Sequence, residues 1–378
     1  MVLHLFNASH DEALASNSPF YNPAQAARTL EKDLALLPVW WAADEDCILL
    51  DAESAGPPRW VGNGVRAIYP HEADTGFWNG VERIEPWGWD SAVMQRLRRL
   101  GAPERLLPDG PQLRAIRQLS SRYTSVRLLQ KLCGEHRCFA GESLWCCTEA
   151  EVWEALDKYG KTMLKAPWSG SGRGVFRVDG PDDRSSLSRI RRILRLQGAI
   201  EAEPFYERLA DFALEFQADG TGNVRYEGLS VFRTTNSRNY AGNMIGREEE
   251  LTATLLSAAP AETGTSLELL KQELPRQLAL LLGTDYRGPL GIDMMLVRTS
   301  SGTIAIHPCV EINLRRTMGH VALNLTRLSA PGQELLFTLR PVPSAGSDTL
   351  SPRHILTPNA REIEAVLLPI PALRYNKS

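Results

Sequence analysis

The chain has 378 residues, 43% hydrophobic and 23% charged, which suits a soluble protein of two or three units with buried cores. Its net charge of −3 gives no ground for nucleic-acid or anionic-membrane binding, and no apolar run approaches the roughly 20 residues of a membrane span. The start, Met1-Val2-Leu3-His4-Leu5-Phe6-Asn7, turns polar early and lacks basic residues, so it does not read as a signal peptide and a cytoplasmic location is expected.

Residues 3–6 form the first strand candidate. Residues 23–37 carry Ala26, Ala27, Leu30, Leu34 and Leu37 at helical spacing and stop at Pro38. Residues 47–50 and 81–84 are further strands, and Asp90 can cap a helix that runs to Leu100 and ends at Gly101. Strands alternating with helices over residues 1–112 predict an open, mostly parallel α/β unit. Pro103, Pro108 and Pro111 mark a change of unit.

The second expected unit covers residues 113–202. A helical stretch over 113–132 leads to the capping box Thr148-x-x-Glu151, then to strand 161–165, a glycine-rich loop and strand 175–178. The basic helix at 185–196, with Arg189, Arg191, Arg192 and Arg195, reads as a solvated face. A third unit, 203–340, carries strands at 212–218 and 224–232 and helices at 248–257 and 266–282, the second interrupted by Pro275. It closes on strands 291–297 and 303–313. Residues 341–378 are rich in Pro and Ser and read as a peripheral tail. Six cysteines show no disulfide pattern, and Cys133-x2-His136-x-Cys138 fits no standard zinc spacing.

The most informative segment is Lys165-Ala-Pro-Trp-Ser-Gly-Ser-Gly-Arg-Gly-Val175. Gly170, Gly172 and Gly174 allow tight turns that bring several backbone N–H groups against an anion. Ser169 and Ser171 add hydroxyl donors, and Lys165 and Arg173 flank them with charge. No Lys follows the glycines as a P-loop requires, and the loop opens a strand where a dinucleotide fingerprint would open a helix. Such a hairpin suits a flap over a nucleotide. Trp168 could stack on a base or lean on a substrate.

The second constellation is Asp293, in Gly291-Ile-Asp293, followed by Glu311 and Asn313 in Val310-Glu311-Ile-Asn313. Carboxylates in apolar strands need a partner. Glu311 and Asn313 share a face, and with Asp293 they supply the oxygen ligands that Mg²⁺ prefers. A plain hairpin turning at residues 299–302 would set Asp293 opposite His307, so the site requires a bulge or a longer turn, for which Pro308 is suited. His307 reads as structural. Arg315 and Arg316 follow and can meet phosphate or carboxylate oxygens.

Taken in order, these pieces resemble the ATP-grasp superfamily over residues 115–330, with an α/β unit in front. The resemblance implies an ATP-grasp fold, α/β with α+β lobes, that binds ATP with one or two Mg²⁺, or Mn²⁺ in its place. It implies that Arg122 and Lys165 reach the phosphates and that the segment from Ser169 to Gly174 is the flap. The stretch Glu201-Ala-Glu203-Pro-Phe205-Tyr206 resembles the hinge that binds adenine, with Glu203 at the amino group and Asp211 (or Glu207) at the ribose. Arg233 would face the γ-phosphate. Asp293, Glu311 and Asn313 match the metal ligands, and Arg315 the basic residue after them. Two departures are the Arg at position 233, often Lys in the family, and the longer stretch between Asp293 and Glu311.

The implied chemistry phosphorylates a carboxylate to an acylphosphate, which an amine or thiol attacks. Arg233 and Arg315 would assist as charge moves. Small-molecule substrates and the family's usual homodimer are implied. A hydroxyl kinase is the alternative and needs a general base, for which His10 or Asp11 qualifies if the first unit faces the cleft; Asp11 otherwise reads as a turn or cap residue. A nucleotide-binding protein without turnover is the third reading. Arg238 and Tyr240 are candidates for carboxylate recognition.

Overall fold

The computed structural model describes residues 1–51, 64–170, 174–183, 185–235, 240–257, 259–330, 332–343 and 354–370. The first unit runs β1 (Val2–Leu5), α1 (His10–Ser16), α2 (Gln25–Asp33), β2 (Cys47–Leu49), β3 (Arg66–Ile68), α3 (Thr75–Gly80), β4 (Arg83–Pro86) and α4 (Ser91–Arg99). Its strands are all parallel, in the order β3-β2-β1-β4, the open sheet expected from the alternation. Leu3, Ile68 and Leu97 are fully buried between sheet and helices. Asp90 caps α4 by accepting from the Ala92 and Val93 N–H groups at 2.9 Å each, a contact that contributes about 1 kcal/mol.

Two helices, α5 (Gly110–Leu119) and α6 (Arg122–Glu135), lead to a small lobe. It contains β5 (Leu144–Cys146), α7 (Glu149–Tyr159), β6 (Thr162–Lys165), β7 (Val175–Val178), α8 (Leu187–Gln197) and β8 (Ile200–Pro204). The sheet is β5-β8-β6-β7, with every pairing antiparallel. Thr148 and Glu151 form the capping box of α7.

The large lobe contains β9 (Glu207–Asp219), β10 (Val224–Thr234), β11 (Tyr240–Ile245), α9 (Glu248–Leu255), α10 (Ala261–Leu282), β12 (Arg287–Arg298), β13 (Ile304–Asn313), α11 (Met318–Leu325), β14 (Leu335–Pro341), β15 (His354–Ile355) and β16 (Ile363–Pro369). Its strands order β13-β12-β9-β10-β11-β14-β16-β15, with every pairing antiparallel. Strand alternation splits β9 between two environments. Phe212, Leu214 and Phe216 pack against Leu267, Leu270, Leu274 and Leu278 of α10, while Asp211, Ala213 and Glu215 face the opposite way, into a cleft.

Two expectations need correction. α10 runs unbroken through Pro275. A helix-interior proline costs about 3 kcal/mol, which four buried leucines at about 1.5–3 kcal/mol each offset. Residues 354–355 and 363–369 are not a peripheral tail, because they supply β15 and β16. The Pro- and Ser-rich composition hid the apolar run Ala365-Val366-Leu367, which is fully buried. Leu367 joins Phe6, Leu34, Trp40 and Phe337 in one core that bridges the first and last parts of the chain. The Asp33 carboxylate fixes this junction by accepting from the N–H groups of Arg361, Glu362 and Ile363 at 2.8–3.0 Å. Among the described residues, no helix is long and apolar enough to cross a membrane.

Candidate active site

The floor of the cleft is the face of the large sheet turned away from α10. Its roof is the small lobe, and one end wall belongs to the first unit. The cleft has a volume of about 990 Å³, at the upper end of the roughly 300–1,000 Å³ typical of small-molecule sites.

The β12–β13 hairpin places the acids. Arg298 pairs with Ile304 and Met295 with His307, then the register shifts, so that Asp293 faces Glu311 and Gly291 faces Asn313. Four residue steps on β13 match two on β12 at this point. The expected irregularity is therefore real, and it uses both a wider turn and a bulge at Pro308, a residue with no N–H for the ladder. Asp293, Glu311 and Asn313 all line the cleft. The Asp293 carboxyl is pushed up to about 8, first by burial and then by repulsion from Glu311 and Glu215. Crowded carboxylates with an amide oxygen beside them are a hard-oxygen donor set, so these three residues fit a divalent cation of the Mg²⁺ or Mn²⁺ kind.

The cations of the cleft are held by acids. Arg122, at the start of α6, is 3% exposed. Its Nη2 donates to Glu311 Oε1 at 2.7 Å, and its Nη1 donates to Ala166 O at 2.7 Å and Ser169 Oγ at 2.6 Å. Lys165 Nζ lies 2.8 Å from Glu203 Oε2 and 3.4 Å from Glu201 Oε1. Burial alone would lower the Lys165 ammonium, but Glu201 and Glu203 more than offset this and hold it above its ordinary value. Arg315 meets Asp11 of α1 through Nε and Nη2.

Other expected residues fall around this centre. Phe205 and Tyr206 line the cleft between the lobes with Glu203. Arg177 lies over the Phe205 ring at 4.9 Å, and the Tyr206 hydroxyl accepts from the Glu142 N–H at 2.8 Å. Asp211 is also in the cleft, accepting from Thr234 Oγ1 at 3.0 Å and pairing with Arg208. Gly170 lies against Asp11, and Gly174 against Ser169. A Cβ on Gly174 would approach Ser169 Cβ to 2.2 Å, so position 174 demands glycine. Ser171, Gly172, Arg173 and Arg238 lie outside the described residues.

Arg233 is a correction. Phe232 and Thr234 line the cleft, whereas Arg233 between them does not and is exposed, because the pleat of β10 sends it to the other face. Arg177 and Arg208 are the further cations that do line the cleft. Trp168 is engaged in structure: its Nε1 donates to Arg117 O at 2.9 Å, and the Arg117 guanidinium sits 3.8 Å from its ring centre. His307 is fully buried and does not line the cleft; burial and then Lys165 push its imidazole down to about 3. Asp11 is neither a turn residue nor a cap but the partner of Arg315.

Sequence reading missed Glu215, a buried carboxylate on β9 that also lines the cleft. The alternation Asp211-x-Ala213-x-Glu215 between Phe212, Leu214 and Phe216 was its signal, the same argument that picked out Asp293.

This architecture is the ATP-grasp fold. Across 98% of the chain it matches the N5-carboxyaminoimidazole synthetase of Staphylococcus aureus complexed with ADP, at a TM-score of 0.52 and 12% identity over 93% of that chain. It likewise matches the biotin carboxylase domain of Hydrogenobacter thermophilus 2-oxoglutarate carboxylase, a dimer holding MgADP and bicarbonate, at a TM-score of 0.53 and 10% identity over 86% of that chain. A biotin carboxylase from Campylobacter jejuni matches at a TM-score of 0.51 and 10% identity, over 98% of this chain and 87% of that one. At such identities the likeness is one of fold. No family model and no curated protein sequence matches the chain.

Proposed function

We propose that the chain is an ATP-dependent ligase that activates a carboxylate as an acylphosphate and passes the acyl group to an amine or thiol. The observation that carries this reading is the pairing of Asp293 with Glu311, beside Asn313, in the same cleft as Arg122, Lys165 and Ser169. One triphosphate laid along the cleft would meet all of them. The nucleotides bound by the structural neighbours support the same orientation of function.

Asp293, Glu311 and Asn313 would hold Mg²⁺, which would screen the γ-phosphate as charge moves onto the leaving oxygen. Arg122 and Lys165 bind the phosphate oxygens, and Glu203, Phe205 and Tyr206 frame the base. Asp211 meets the ribose. The segment from Ser169 to Gly174 excludes water. A substrate carboxylate oxygen attacks the γ-phosphorus, the β–γ bridging bond breaks, and ADP leaves. The amine nitrogen or thiol sulfur then attacks the acyl carbon, phosphate departs with the bonding pair, and the nucleophile loses a proton. Arg315 orients the acid being activated. The cytoplasmic location and the homodimer belong to this proposal.

A hydroxyl kinase would need a base at the acceptor. Asp11 faces the cleft, but both its oxygens are engaged by Arg315, which favours the ligase. The test is incubation with ATP, Mg²⁺ and pooled carboxylates plus hydroxylamine, set against pooled polyols. Hydroxamate supports the ligase, and phosphorylated polyol would replace it with the kinase. Nucleotide binding without either product would leave a binding protein.

A further inference from the structure

The cleft continues past the metal-binding acids into a deep end that neither nucleotide nor cation needs. Its floor is Glu215, 1% exposed. Glu215 faces Gly291 across the β9–β12 pair, two residues along from the Ala213–Asp293 pair. That step places it about 7 Å along the strands from the metal-binding position.

Two glycines let the backbone close directly against the Glu215 carboxylate. A Cβ on Gly319 would stand 1.8 Å from Glu215 Oε1 and 2.6 Å from Ser230 Oγ, and one on Gly291 would stand 2.4 Å from Glu215 Oε2. Oε1 and the Ser230 hydroxyl thus lie side by side against Gly319, on the wall of the cleft. Oε2 faces His320 Nδ1 at 3.0 Å, and no hydrogen bond reaches it among the described residues. Beyond lies a chain of polar groups. Tyr240 OH donates to Asn243 Oδ1 at 2.5 Å, and Asn243 Nδ2 donates to Ser230 Oγ at 2.7 Å, which leaves Ser230 a lone pair for a donor from the cleft.

The walls are apolar. Phe6, Leu30, Leu34 and Trp87 of the first unit meet Met318 and Leu339 of the large lobe. Phe6 and Trp87 pack edge to face at 4.8 Å. The Lys and Arg residues that line the cleft, Arg122, Lys165, Arg177, Arg208 and Arg315, belong to the nucleotide and metal end, and Arg316 is drawn off by Trp41 and Glu85. Among the described residues, an anion entering the deep end would meet a carboxylate, and the basic group beside it, His320, is already turned to Glu215.

We infer that this deep end is the acceptor chamber and that it takes a primary amine on an apolar body, its ammonium held by Glu215 and Ser230. An acid group beside the amine would be rejected, so the acceptor is an amine and not an α-amino acid. This rests on the ligase reading and narrows it, removing the thiol.

Calorimetric titration of the full chain tests it. MgAMPPNP is titrated first, which reads the nucleotide site alone. Phenethylamine, 2-phenylethanol and 3-phenylpropionate are then titrated into the nucleotide complex and into the free protein. Phenethylamine is expected to bind at least about tenfold more tightly than the alcohol, the usual worth of a hydrogen bond to a charged group, and the propionate most weakly. Glu215→Gln should erase the preference for the amine while leaving MgAMPPNP affinity within about threefold. Ser230→Ala should reduce the preference in part. Equal binding of amine and alcohol, tighter binding of the propionate, or a preference that survives in Glu215→Gln overturns the chamber. Failure of MgAMPPNP to bind while the amine preference holds overturns the ligase reading and leaves the chamber standing.

Discussion

Arg315, two residues past the end of β13, donates Nε and Nη2 to the two carboxylate oxygens of Asp11 at 3.0 and 2.9 Å, closing a contact between residues 304 apart in sequence. The pair fastens the first unit to the strand that carries Glu311 and Asn313. Burial alone would push the Asp11 carboxyl up, but the guanidinium outweighs it and holds the group below the usual carboxylate range. Because the folded value is depressed, the stabilisation is fully present above the unfolded value near 3.8 and is lost as pH falls through the folded one.

Asp11→Asn should therefore destabilise the fold at pH 7 by about 1–3 kcal/mol, since it leaves Arg315 with an uncharged partner. The difference from the wild type should shrink in acid below the ordinary carboxylate range. Urea unfolding at several pH values checks this, and an equal deficit at every pH would refute it.

Glu311→Gln should abolish turnover and remove the Mg²⁺ dependence of nucleotide binding, while the melting temperature stays within a few degrees. Calorimetry with and without the cation reads this. An unchanged Mg²⁺ dependence would take Glu311 out of the ligand set.

Arg233→Ala and Lys165→Ala should part company. Lys165 lies in the cleft between Glu201 and Glu203, and its loss should weaken ATP binding at least about tenfold. Arg233 is exposed on the far face of β10, so its loss should change affinity less than about twofold. A comparable loss in both variants would return Arg233 to the site.

Gly174→Ala should force Ser169 aside and, with it, the hydroxyl that accepts from Arg122. ATP affinity should fall several-fold while the melting temperature drops by only a few degrees, about 1–3 kcal/mol of local overpacking. Full affinity in this variant would separate the flap base from the nucleotide.

Much of the site was legible because its chemistry contradicts its surroundings. Asp293 and Glu311 stood out as charges in apolar strands, and the need for an irregular hairpin followed from counting residues across the turn. Arg233 was misplaced because its family position, not its alternation with Phe232 and Thr234, decided its role. Glu215 was passed over because it belongs to no motif and sits among residues that look like plain core. The parallel order of the first sheet followed from local alternation. The pairing of β16 with β14 did not, because such a partnership depends on chain returning from a distant Pro- and Ser-rich stretch.

The Asp33 clamp on residues 361–363 also bears on how the molecule is made. A nascent chain leaving the ribosome cannot complete the layer around Phe6, Leu34 and Trp40 until Ala365 and Leu367 have been synthesised, more than three hundred residues later. Until then α2 and the β14 edge wait with apolar surface uncovered, and joining such distant segments is slow. A product terminated before β16 would leave that edge open to its neighbours, so premature release should yield aggregates and not a shortened folded chain.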